Sequence, residues 1–92
     1  MIKSFRSKDL AALFAGDCSV RLRSVEDQLA KRLQILDSAP SVAALAGLPS
    51  NRLESLKGDR KGQYSIRVNM QWRPCFRFEG EDAYEVELVD YH

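Results

Sequence analysis

The chain closes on Asp90-Tyr91-His92, and the side chain of the last residue could protonate a substrate. His92 is the only histidine among 92 residues, and imidazole is the side chain whose ordinary titration falls near neutral pH. Beside a phosphate, a protonated imidazole would be a general acid; the alternative is a frayed terminal histidine with no role. Asp90 and the carboxylate that the last residue itself carries both favour the charged ring.

A phosphate partner needs cations, and the sequence concentrates them. Between Asn51 and Arg77 stand Arg52, Lys57, Arg60, Lys61, Arg67, Arg73 and Arg77, against Glu54 and Asp59. From Phe78 onward there are Glu79, Glu81, Asp82, Glu85, Glu87 and Asp90, with no lysine or arginine. The net charge of +1 therefore conceals a basic block followed by an acidic one. A basic block of this kind suits a polyanion. The alternative is that the acidic block neutralises it across a sheet.

The elements that position these residues can be read from periodicity. Met1 to Phe5 alternates and fits a short N-terminal strand. Ser7 is a candidate N-cap for a helix through Leu10, Leu13 and Phe14, closed by Gly16. Leu22, Val25, Leu29, Leu33 and Leu36 form one apolar helical stripe that Pro40 ends. Ser41 can cap a single turn over Val42 to Ala46, closed by Gly47. The period then changes. A short strand falls at Arg52 to Lys57, with a turn at Gly58 and Asp59. Three alternating runs follow, carrying Tyr64, Ile66 and Val68, then Trp72, Pro74, Phe76 and Phe78, then Tyr84, Val86 and Leu88. Period-two runs joined by short turns predict an antiparallel meander with one buried face. The class is α+β: an N-terminal strand and two helices packed on one face of a small antiparallel sheet.

Parity restricts the register, because the apolar sets all fall on even numbers. A three-residue loop at Asn69, Met70 and Gln71 sets Val68 opposite Trp72 and Arg67 opposite Arg73. A three-residue loop at Gly80, Glu81 and Asp82 sets Arg77 opposite Glu85 and Arg73 opposite Val89. Arg77 then has a carboxylate facing it and Glu87 close by, a structural pair. Arg67 and Arg73 lie side by side on the exposed face. Like charges directly opposite are destabilising, and a phosphate between them would resolve the conflict; the alternative is two solvated arginines screened by Glu87 and by salt. Tyr91 and His92 continue the last strand opposite Gln71 and Met70, with Asp90 entering the rim of the core.

Length and composition bound the rest. A chain of 92 residues is one domain and buries about two-thirds of its unfolded surface, so a site must lie on a face. No apolar run approaches the roughly 20 residues of a membrane span, and the N-terminus lacks the apolar core of a signal peptide. Cys18 and Cys75 have no metal-ligand spacing and read as free thiols in a reducing cytoplasm.

Leu56-Lys57-Gly58-Asp59-Arg60, Ser65-Ile66-Arg67-Val68, Trp72-Arg73, Phe76-Arg77-Phe78 and the final Asp90-Tyr91-His92 together resemble the HigB killer-protein family of the RelE/ParE toxin superfamily. The N-terminal segment and the leucine-striped helix fit as well, so the resemblance covers residues 1–92 as one RelE-like toxin domain. It implies a type II toxin: an endoribonuclease that cuts messenger RNA in the A site of the 70S ribosome. A cognate helix-turn-helix antitoxin would neutralise it, and operator DNA would be reached only through that antitoxin. The chemistry implied is attack of the 2′-hydroxyl on the adjacent phosphate, with no metal or cofactor.

By position, the resemblance makes Lys57 and Arg73 stabilisers of the phosphate, Tyr91 an orienting group, His92 the general acid, and Asp90 its orienter or proton partner. Arg60, Lys61 and Arg67 would hold the RNA backbone. The sequence departs from the family at Glu54, where many members have histidine. A glutamate can serve as a base there, but it is a weak one and repels phosphate. Pro74 also departs, placing a residue without a backbone donor where the sheet needs one. Two other functions stay open. One is a ParE-like protein that poisons DNA gyrase. The other is a catalytically weakened relative that only binds its antitoxin.

Overall fold

The computed structural model describes residues 1–17 and 19–90. Helix α1 (Lys8–Phe14) is followed by a 3-10 segment, Val20–Val25, that runs into helix α2 (Glu26–Ser38). The short helix α3 (Val42–Ala46) and a 3-10 turn, Pro49–Asn51, lead to the sheet. Strands β1 (Glu54–Ser55), β2 (Gln63–Ser65), β3 (Trp72–Glu79) and β4 (Asp82–Asp90) pair antiparallel in the order β1-β2-β3-β4. The N-terminal segment runs parallel to β4 along its outer side, through bridges Ile2–Ala83 and Phe5–Val86.

The leucine stripe does what its spacing predicts. Leu22, Val25, Leu29, Leu33 and Leu36 are all buried, with Leu10, Leu13 and Leu45, against Ile66, Trp72, Phe76, Ala83, Val86 and Leu88. The stripe begins in the 3-10 segment rather than in α2 itself. Helix α2 stops at Ala39, whose ψ of 126° is the extended conformation imposed on a residue before proline. Ser41 caps α3 by accepting from the Ala44 amide at 3.1 Å.

Ser7 departs from expectation. Its backbone is at the N-cap of α1, yet its hydroxyl accepts from the Leu88 amide at 3.1 Å instead of capping the helix. The β4 edge lies close enough to take the oxygen, and a sheet donor left bare is worse than a helix donor that water can reach.

The β2–β3 connection is as predicted. The Val68 amide donates to the Trp72 carbonyl at 3.1 Å, and the Asn69 side-chain oxygen accepts from the Gln71 and Trp72 amides, each at 2.8 Å. Pro74 sits in a central strand, accepting from the Ile66 amide at 3.1 Å. It has no hydrogen to return, and the regular ladder of β2 ends just before it, at the Ser65–Cys75 pair.

The β3–β4 hairpin corrects the expected loop. Glu79 faces Asp82, so Gly80 and Glu81 make a two-residue turn. A bulge then inserts one extra residue in β4, with Glu85 in the left-handed region at φ 54°. The turn is one residue shorter than predicted and the bulge restores the offset. Arg73 therefore does face Val89, while Arg77 faces Tyr84 rather than Glu85. Because the bulge reverses the faces, Ala83 is buried in place of Tyr84.

Candidate active site

Two faces of β3 are covered. Trp72, Pro74 and Phe76 point into the helical core, and Arg73 and Cys75 on the opposite face are buried as well. This overturns the expectation that Arg73 lies on an open surface: it is 8% exposed. Its Nε donates to Ser65 Oγ at 3.0 Å and its Nη2 to the Arg52 carbonyl at 2.7 Å. The carboxylate of Glu54 stands 3.7 Å from the same Nη2, on a side chain that is 60% exposed. Ser65 comes from β2 and Glu54 from its paired position on β1, so the edge of the sheet assembles the cluster.

Arg67 lies opposite Arg73 in the continued β2–β3 offset, but their charged groups diverge. Arg67 Nε turns toward the connection and donates to the Asn69 carbonyl at 3.3 Å, while Arg73 turns back toward Ser65. The like-charge conflict is relieved by side-chain direction, and no bridging anion is required for it. The Arg67 amide donates to the Asn51 carbonyl at 2.6 Å.

The Asn51–Arg52 corner was not singled out from sequence as part of the site, yet it holds the site together. Asn51 is fully buried. Its Nδ2 donates to the Leu45 carbonyl at 3.0 Å and its Oδ1 accepts from Arg32 Nη1 at 2.8 Å. Arg52 follows in the left-handed region at φ 45°. Pro49-Ser50-Asn51 signals a turn, but nothing in the sequence marks an arginine as the left-handed residue.

The other predicted residues divide into two groups. Lys57 and Lys61 flank the Gly58–Arg60 turn and are exposed. Arg60 is committed elsewhere. Its Nη1 reaches Gln63 on β2 and Glu87 on β4, both at 3.2 Å, so the side chain spans β3. Arg77 is a structural pair as expected, with Glu85 at 3.0 Å, but its second carboxylate is Glu79 at 2.8 Å rather than Glu87. The Glu85 hydrogen bond, with Glu79 beside it, holds the guanidinium above the usual arginine range. Glu87 instead answers Arg60 and Arg6. Much of the acidic block thus neutralises the basic one, and the neutralisation is selective. Among the described residues, Lys57, Lys61, Arg52 and Arg67 face no carboxylate within ion-pair distance.

Asp90 is exposed at the rim of the core, as expected, and its Oδ2 accepts from Gln71 Nε2 at 3.3 Å. Tyr91 and His92 lie outside the described residues. The described site is a fixed guanidinium with an adjacent, accessible carboxylate, on a face of the sheet with exposed cations nearby in sequence. That combination can receive a phosphate and accept a proton next to it.

Comparison with known proteins bears on what such a face is for. Residues 3–92 match the family model described as the RelE-like toxin of the type II toxin–antitoxin system HigB. The chain is 39% identical to "Endoribonuclease HigB" of Proteus vulgaris, over 100% of both chains. It is 40% identical to "Toxin HigB-1" of Vibrio cholerae over 85% of this chain and 84% of that one. In fold it resembles a chain of the YoeB–YefM toxin–antitoxin complex from Staphylococcus aureus, at a TM-score of 0.61 and 20% identity. That match covers 100% of this chain and 98% of the other. A YafQ mutant from E. coli gives a TM-score of 0.60 at 16% identity, covering 98% and 91%.

Proposed function

Because the chain belongs to the HigB-like family of RelE-like toxins of type II toxin–antitoxin systems, we propose that it is an endoribonuclease acting on messenger RNA in the ribosomal A site. The relative from Proteus vulgaris, matched along its whole length, is named an endoribonuclease. The observation in this molecule that carries the reading is Arg73, buried and oriented by two neutral oxygens, with Glu54 beside it.

The scissile phosphate binds against Arg73, whose guanidinium stabilises the charge that grows on the phosphoryl oxygens. Glu54 takes the proton of the adjacent 2′-hydroxyl, and the 2′-oxygen attacks phosphorus. The bond to the 5′-oxygen breaks, leaving a 2′,3′-cyclic phosphate and a 5′-hydroxyl. His92 supplies the proton to the departing oxygen, and Tyr91 orients the nucleotide. Asp90, steadied by Gln71, orients His92. Lys57 approaches the phosphate from the β1–β2 turn, and Lys61 and Arg67 track the RNA backbone. Arg60 contributes less, since Glu87 already holds it. In the cytoplasm a helix-turn-helix antitoxin covers the toxin and carries it to operator DNA.

Mapping 5′-ends of messenger RNA after induction tests the reading. Arg73→Ala and His92→Ala should each lower cleavage by roughly 10²–10⁴-fold, and Glu54→Gln should lower it while leaving RNA binding in place. Undiminished cleavage by the Arg73→Ala/His92→Ala double variant would overturn the assignment. Growth arrest with broken DNA and intact messengers would transfer it to gyrase poisoning.

A further inference from the structure

We propose that the Asn51–Arg52 corner is a positioning device for the Arg73 guanidinium, with Asn51 as the residue that locks it. The inference rests on the reading of Arg73 as the phosphate-binding group, and goes beyond it by naming what aims that group.

The starting observation is backbone strain. Among the described residues, Arg52 and Glu85 are the non-glycine residues at positive φ. Glu85 is accounted for by the β4 bulge. Arg52 ends the Pro49–Asn51 3-10 turn, a place where a left-handed residue is common but is usually glycine or asparagine rather than arginine. What its left-handed conformation achieves is to turn its carbonyl inward, 2.7 Å from Arg73 Nη2. A strained residue persists only where its surroundings over-determine it, and Asn51 supplies the restraint.

Four polar groups of Asn51 are engaged in four directions. The amide donates to the Leu48 carbonyl at 2.9 Å and the carbonyl accepts from the Arg67 amide at 2.6 Å. Nδ2 donates to the Leu45 carbonyl, and Oδ1 accepts from Arg32 Nη1. The corner is therefore tied at once to α2, to α3 and to the segment after β2. A residue so held cannot rotate without breaking bonds to three elements.

The acceptors that hold Arg73 explain why the arrangement serves binding. Ser65 Oγ and the Arg52 carbonyl contact two different nitrogens of one planar group, which fixes its tilt. Both are neutral, so they orient the guanidinium without cancelling its charge. Among the described residues, the carboxylate within ion-pair distance of it belongs to Glu54, which is exposed and stands off at 3.7 Å. For stability alone a buried arginine is a poor choice beside an apolar residue of similar volume. A strained corner and a buried asparagine spent on aiming one are accounted for by the anion it receives.

The test uses nitrogen-15 NMR of arginine side chains in the full chain, with cleavage kinetics alongside. In the parent protein Arg73 should show a slowly exchanging Nε–H signal. Asn51→Ala should abolish that signal and lower kcat by about 10²-fold, the cost of misplacing a group by about 1 Å, with a smaller change in KM. Arg32→Met removes one tether of the corner without touching Arg73, and should reproduce both changes in weaker form. It serves where Asn51→Ala does not fold. Arg52→Gly, which tolerates positive φ, should retain the Arg73 signal, whereas Arg52→Val should lose it. An unchanged Arg73 signal in folded Asn51→Ala or Arg32→Met overturns the positioning role. Arg73→Ala with full cleavage instead overturns the reading of the site.

Discussion

Arg73 shows how little a residue's type and strand parity say about its role. Parity correctly placed it opposite Arg67 and Val89. It could not show that a corner some twenty residues earlier in the chain would fold over it, because the Arg52 contact is long-range. Glu54 was visible in the sequence as a misfit, and only the pairing of β1 with β2 gives it a partner. Arg73→Lys should therefore behave almost as badly as Arg73→Ala in cleavage assays. A lysine keeps the charge but cannot meet Ser65 and the Arg52 carbonyl with separate nitrogens. At Arg52, glycine removes a left-handed cost of about 1–2 kcal/mol per residue and loses roughly 0.5–1 kcal/mol to chain entropy. Arg52→Gly should leave the urea midpoint near the parent value or slightly above it. Arg52→Val, stiff at Cβ, should lower it.

The elements were legible where one periodicity governs them and illegible where two local irregularities cancel. The leucine stripe specified α2 and its buried face because every member meets the same core. The β3–β4 hairpin combined a shorter turn with a bulge, and alternation along β4 records parity only, so the two departures left the distal register unchanged. Glu85 gave no warning, since neither glycine nor asparagine marks the left-handed position. Ser7 carried an N-cap signature, yet the structure uses its hydroxyl to satisfy β4. Ser7→Ala should consequently cost about 1–2 kcal/mol, through a part-buried Leu88 amide left without an acceptor. In hydrogen exchange, loss of protection at Leu88 rather than in α1 would identify the cause. If α1 frays and Leu88 stays protected, the cap reading is restored.

At the scale of the molecule, the basic and acidic blocks are matched only in part among the described residues. Arg60, Arg77 and Arg6 are answered by Glu79, Glu85 and Glu87, and the exposed lysines at the β1–β2 turn are not. RNA affinity should then weaken with salt, by a slope of about −0.7 in log–log terms for each single-strand phosphate neutralised. Lys57→Ala and Lys61→Ala should each flatten that slope by close to one contact, measured by titration at several salt concentrations. Arg60→Ala should flatten it less and destabilise the sheet more. The N-terminal segment sets a different constraint. Its partners are on β4, with the Lys3 amide on the Ala83 carbonyl and the Arg6 amide on the Val86 carbonyl. The first residues made must wait for the last strand, which at 5–20 residues per second is a delay of about 4–16 s. A nascent copy is thus barred from pairing its N-terminal segment until β4 has been made, so that segment is among the last parts of the fold to dock.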